Sequence, residues 1–288
     1  MKLKSFVSLV GAATCLMAGQ VRAEQFLDFC VDAAGAGYSN AANTSAEAAA
    51  ATKCAGSAPD QAGKTGIKVD LLNGSYQEKV IASLSLSGLS FASTTVLNFS
   101  SMLRNEGSAS YNAAQTGLGF GYGLYAVVTA TGNVIGGNAF QATSATVKVY
   151  LDLDLLTDTS DAGIDNTTLA FTGDALSNDI LVASSTSLKT GSGTINTSQG
   201  TDGFAVLFDN FTLTTEGKDF FIAPRPFHLN IYSDGDINDG SQVVVAGNVL
   251  TFNGDASAVF KTPEPGSLAL AGLALAAIGI ASRRQKRA

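Results

Sequence analysis

A strict alternation near the middle of the chain most narrows what it can fold into. Val147, Val149, Leu151, Leu153 and Leu155 are apolar, and Lys148, Tyr150, Asp152 and Asp154 stand between them. A β-strand sends successive side chains to opposite faces, so a period of two means one face buried and one wet. The same reading predicts strands over 79–89, 95–99, 122–129, 205–213, 227–232, 243–252 and 258–261. Turn-forming residues punctuate them: Thr131-Gly132-Asn133, Asn138, Ser233-Asp234-Gly235 and Asn253-Gly254-Asp255. No stretch of twelve residues between 67 and 262 carries a helical period. The expected fold is all-β: a single antiparallel β-sandwich or jelly roll.

Upstream, residues 33–66 are rich in Ala, Gly, Ser and Asn. Thr44-x-x-Glu47 reads as a capping box opening a short helix, with 48–54 as its body and Gly56 as its end. Cys30 and Cys54 are the two cysteines left once a leader is removed. Outside the cytoplasm an even pair reads as one disulfide, closing a loop of 25 residues. The alternative is two buried free thiols.

Both ends read as addresses rather than fold. Met1-Lys2-Leu3-Lys4, an apolar run over 6–18 and Val21-Arg22-Ala23 form a signal peptide, with cleavage expected after Ala23. A lipoprotein signal at Cys15 is disfavoured, because the Ala12-Ala13-Thr14 before it lacks the usual Leu and the small residue next to the cysteine. At the other end, Pro263-Glu264-Pro265-Gly266 precedes an uncharged run over 267–282, then Arg283-Arg284-Gln285-Lys286-Arg287. Sixteen helical residues reach roughly 24 Å, marginal for a ~30 Å hydrocarbon core, and a snorkelling Arg283 extends it. The basic cluster Arg283, Arg284, Lys286, Arg287 is expected on the cytoplasmic side, leaving 24–262 outside the inner membrane. The organisation expected is therefore a signal peptide over 1–23, an exported β domain over 24–262 and a sorting signal over 263–288.

Those last residues resemble a known signal. A Pro-Glu-Pro tripeptide (Pro263, Glu264, Pro265), a short apolar helix and a terminal basic cluster look like the PEP-CTERM sorting signal. The resemblance implies export by a Gram-negative bacterium that makes exopolysaccharide. It also implies an inner-membrane-anchored precursor processed by a membrane-embedded exosortase, then a place at the cell surface or in the extracellular matrix. Three internal segments are similar to the flocculation-associated, PepA-like PEP-CTERM proteins: Gly119-Phe120-Gly121-Tyr122-Gly123-Leu124-Tyr125-Ala126, Phe208-Asp209-Asn210-Phe211-Thr212-Leu213 and Phe221-Ile222-Ala223-Pro224-Arg225-Pro226-Phe227. That likeness implies a non-enzymatic protein that helps cells clump within exopolysaccharide, with self-association as a further contact. It carries no catalytic residue over to this chain.

Charge and composition agree with a non-catalytic reading. Residues 24–262 hold 10 basic and 23 acidic side chains, a field that repels nucleic-acid phosphates. A single histidine, His228, would have to serve any Ser-His-Asp or Cys-His system alone. It alternates with Phe227 and Leu229, which places it on an exposed face. Asp152, Asp154, Asp158, Asp161 and Asp165 crowd within 14 residues. Asp234-x-Asp236-x-Asn238-Asp239-Gly240 is a candidate calcium loop, since oxygens at alternate positions can converge on a hard cation. It departs from an EF-hand, with Asp239 at position six and Val245 at position twelve. Solvated acidic turns are the expectation for both clusters, and no cofactor is expected beyond that candidate calcium at Asp234, Asp236, Asn238 and Asp239. Arg225, framed by Pro224 and Pro226, is expected to pair with an acid. Two alternatives to a flocculation protein stay open: a calcium-dependent carbohydrate-binding module, and a secreted hydrolase built on a carboxylate pair.

Overall fold

The computed structural model describes residues 28–34, 53–85, 88–105, 107–136, 139–173, 178–194, 203–224, 229–233, 244–246 and 248–260. In chain order its strands are β1 (Phe29–Val31), β2 (Lys53–Ala55), β3 (Thr65–Val69), β4 (Leu71–Ser85), β5 (Gly88–Arg104), β6 (Ala109–Ser110), β7 (Gly123–Val134) and β8 (Ala139–Asp152). They continue with β9 (Ile180–Ser185), β10 (Ser187–Thr194), β11 (Gly203–Asp209), β12 (Thr212–Leu213), β13 (Phe221–Ala223), β14 (Leu229–Ser233), β15 (Val244–Ala246) and β16 (Val249–Phe260). Two short helices, α1 (Ala113–Thr116) and α2 (Thr215–Phe220), sit in connections.

The all-β antiparallel architecture read from the sequence is present. β4 pairs with β5, β5 with β7, and β7 with β8. β8 meets β9 near Leu151 and β10 near Phe140, so β9 and β10 act as one bent strand along its edge. β10 pairs with β11, β11 with β14, β14 with β16, and β16 returns to β4. The sheet thus curls until it closes, and sandwich-like walls face each other across one interior. From β4 through β5 and β7 to β8 the barrel strands run neighbour to neighbour, whereas β13 leaves for a separate sheet before β14 returns beside β11. Closure removes the open edges that would otherwise invite pairing with another chain.

The inward positions of these strands form the main core, with Leu97, Leu124, Val149, Leu151 and Phe208 buried in it. Tyr76 and Phe204 meet edge to face at 5.2 Å across this interior. A second sheet, in the order β13-β1-β3-β2, closes the end where β4 starts and β16 finishes. It is tied there by Asp70 N–H donating to Leu103 O at 3.0 Å and Tyr111 Oη to Lys68 O at 2.6 Å. Phe29, Phe220, Phe221 and Tyr122 pack beneath it. The opposite end consists of hairpin tips near Ser85, Gly88 and Val134.

Residues 157–173 lie on the outside of the barrel. Ile164 and Phe171 join Val96, Tyr125 and Val127 in a smaller core there. Lys79 is buried, and its Nζ is satisfied by donating to Ile164 O at 2.8 Å, while Thr94 Oγ1 donates to Leu169 O at 2.7 Å.

Four local expectations need correction. The strand expected over 79–89 is divided between two strands, β4 ending at Ser85 and β5 starting at Gly88 opposite it; in the sequence, Leu84 and Leu86 keep alternating with Ser83, Ser85 and Ser87 past the end of β4. Asn253-Gly254-Asp255 lies inside β16 rather than in a turn. A Cβ on Gly254 would stand 2.8 Å from Cε1 of Tyr76, so the glycine makes room for a core ring. Thr131-Gly132-Asn133 likewise lies inside β7, at a bulge where a Cβ on Gly132 would meet Gln141 O at 2.1 Å. Cys54, expected in a helix, is in β2, where pairing with β3 overrides local propensity; the rest of that helix, 44–52, lies outside the described residues.

Candidate functional site

The strand expected to run to Leu155 stops at Asp152, and the stop is chemical. Asp152 is buried, and its Oδ1 accepts from the backbone N–H of Leu155 at 2.7 Å and of Asp154 at 3.2 Å. Its Oδ2 accepts from Thr157 N–H at 3.2 Å. Asp154 Oδ1 accepts from Leu156 N–H at 3.1 Å. An aspartate that satisfies main-chain donors this way offers the backbone a turn instead of a ladder. Asp179, just before β9, joins from the other side: its Oδ2 accepts from the Tyr125 hydroxyl and from Thr157 Oγ1 at 2.8 Å.

One carboxylate oxygen from each of Asp152, Asp154 and Asp179 lies within 4.8 Å of the others. Oδ1 of Asp179 is buried and accepts no hydrogen bond among the described residues. Three oxygens this close can take one divalent cation. Four N–H and two O–H donors already occupy the group, so it also works as a brace with no ion. Two other acids of this stretch, Asp158 and Asp165, hold turns. Asp158 accepts from Ser160 Oγ at 2.6 Å and Ser160 N–H at 3.0 Å, which lowers its pKa. Asp165 accepts from Thr168 N–H at 2.7 Å, Thr168 Oγ1 at 2.8 Å and Thr167 N–H at 2.9 Å, with the same effect. They fold the outer segment.

Two positions escaped the sequence reading. Asp179 is distant in sequence from the acidic cluster it joins, and only the β8–β9 pairing brings it there. Glu78 is legible in hindsight. It occupies the inward phase between Tyr76 and Val80, where an ionisable residue breaks the apolar pattern. Burial pushes its carboxyl up to about 7, against lowering hydrogen bonds from Ser93 and Thr95.

Cys30 and Cys54 are joined by a disulfide linking β1 to β2, the strands on either side of β3. The candidate calcium residues Asp234, Asp236, Asn238 and Asp239 lie outside the described residues, as do Arg225 and His228. So do Pro263, Glu264, Pro265 and the basic cluster Arg283, Arg284, Lys286, Arg287. Among the described residues no helix is long and apolar enough to cross a membrane; the helix expected over 267–282 is not among them.

β16 ends at Phe260, and residues 261–285 match the family model of the PEP-CTERM protein-sorting motif. The chain carries a PEP-CTERM sorting tail. It is accordingly a secreted protein sorted by an exosortase, made as a membrane-anchored precursor and processed towards the cell surface. The matched segment begins in the sequence at the residue after β16 ends. No curated protein and no solved structure matches the chain.

Proposed function

We propose that this PEP-CTERM protein is a non-enzymatic cell-surface or matrix component that promotes flocculation by retaining, or associating with, exopolysaccharide. The observation that carries the reading is the sorting-motif match over residues 261–285, which starts in the sequence just after the last strand of a closed barrel. Asp152, Asp154, Asp158 and Asp165 accept main-chain hydrogen bonds that hold turns, which supports a structural use of them. The outer wall near the hairpin tips adds exposed hydroxyls in adjacent registers, Thr129, Thr131, Thr143 and Ser144. Neutral donor–acceptor groups of this kind suit a hydroxyl-rich polymer. Self-association is a further contact in this reading.

The test is deletion of this gene alone, scoring floc formation and the partition of polysaccharide between cells and medium. Fewer flocs with polysaccharide lost to the medium supports the reading; unchanged clumping and unchanged partition contradict it. A second reading, a calcium-dependent carbohydrate-binding module, is favoured by the convergence of Asp152, Asp154 and Asp179. It requires sugar binding that calcium switches on.

A further inference from the structure

The end of the barrel that carries the sorting tail also displays three exposed apolar side chains: Phe120 (69% exposed), Leu156 (68%) and Leu155 (45%). All three are on turns held rigidly. Phe120 stands in the connection from α1 to β7, where Phe120 N–H donates to Gly117 O at 3.1 Å and Gly119 N–H to Tyr122 O at 2.8 Å. Leu118 and Tyr122, on either side of it, are buried and fix the loop to the core. Leu155 and Leu156 are presented by the acidic brace, since Asp152 holds the N–H of one and Asp154 that of the other. The two turns share a corner: Gly123 pairs with Asp152, and Cδ2 of Leu155 lies 3.5 Å from where a Cβ on Gly123 would stand.

This corner lies at the end of the barrel where β16 finishes, because Val259 pairs with Leu71 at the start of β4. From Phe260 to the start of the uncharged run at Ser267 is seven residues, about 25 Å even fully extended. In the anchored precursor that short reach keeps this end near the bilayer. Exposed leucines Leu84 and Leu89, with Ile135, occur at the opposite end and face away from it.

We propose that Phe120, Leu155 and Leu156 form an apolar collar that rests in the membrane interface while the precursor is anchored. Aromatic and aliphatic side chains gain by entering the headgroup–acyl boundary. The collar sets the barrel upright and holds the end of β16 at the membrane surface, where the sorting enzyme works. The inference deepens the sorting reading, because it gives the acidic brace the task of displaying two of the three contacts.

The chain has no tryptophan, so Phe120→Trp introduces a single fluorophore. The full-length precursor would be reconstituted in phosphatidylcholine vesicles with and without bromine-labelled acyl chains, and checked by flotation. Emission from Phe120→Trp should shift to the blue and fall at least twofold with the brominated lipid. Leu156→Trp should behave alike, and Ile135→Trp should remain solvent-like. Precursor that floats while positions 120 and 156 stay as unquenched as 135 overturns the collar. Equal quenching at all three sites, meaning adsorption without orientation, overturns it too. Precursor that fails to float overturns the anchored reading, and the collar with it.

Discussion

Glu78 stands directly opposite Phe252 where β4 pairs with β16, so a carboxyl shares the barrel interior with a buried ring. The described residues facing it from β5 are Ser93, Thr95 and Leu97, and from β16 Leu250 and Phe252; none of these carries a charge.

That placement gives stability a definite pH dependence. Burial raises this carboxyl from 4.5 to about 7. Between those values the unfolded chain releases the proton and the folded barrel keeps it. The contribution of Glu78 to stability therefore falls as pH rises through that window and levels off above it, by about 3 kcal/mol at most. Glu78→Gln cannot ionise and keeps a polar group for Ser93 and Thr95. Its melting temperature should match wild type near pH 4.5 and exceed it by several degrees at pH 8. An equal difference at both pH values would contradict this account.

The disulfide should matter more than its peripheral place suggests. It closes a loop with a sequence separation of 24, for which the chain-entropy model gives about 3.5 kcal/mol. Exported protein should leave both Cys30 and Cys54 unlabelled by a thiol reagent until reduced. The double variant Cys30→Ser/Cys54→Ser should melt lower by roughly that amount. Full labelling of native protein, or an unchanged melting temperature, would show that the small sheet holds without the bond.

For the acidic brace, the donors already bound predict a modest cation effect. Millimolar calcium should raise the melting temperature by no more than a few degrees, since stabilisation follows occupancy of the folded state. Asp152→Ala should cost about 1–3 kcal/mol with or without calcium, because three N–H groups lose their acceptor. A calcium shift above about 10 °C, abolished by Asp179→Asn, would instead favour the calcium-dependent module.

Much of the fold was legible because β8 buries one face only, and Val147, Val149 and Leu151 had to alternate. Boundaries failed where tertiary contacts outweighed local chemistry. Gly254 and Gly132 carry turn signals, yet both are glycines because a ring or a carbonyl needs the space. β10 went unread because Ser, Thr and Gly dominate 184–194 and such strands show little hydrophobic period, and β9 offers only the short apolar run over 180–183. Asp179 could not be placed beside Asp152 without the β8–β9 register. The sorting tail needed no fold at all: its tripeptide, apolar run and basic cluster are read in order along the chain.

In the proposed function this tail, and not the barrel, sends the protein to its place and so enables clumping. The most direct measurement is the intact mass and membrane partition of the protein from cells carrying Pro263→Ala/Pro265→Ala, alongside a clumping assay. Wild-type cells should yield a mature form lacking the tail. The double variant should persist as full-length precursor in the membrane fraction with reduced flocculation, its barrel melting normally. Unchanged mature mass, location and clumping in the double variant would contradict the account and leave the tail as an anchor alone.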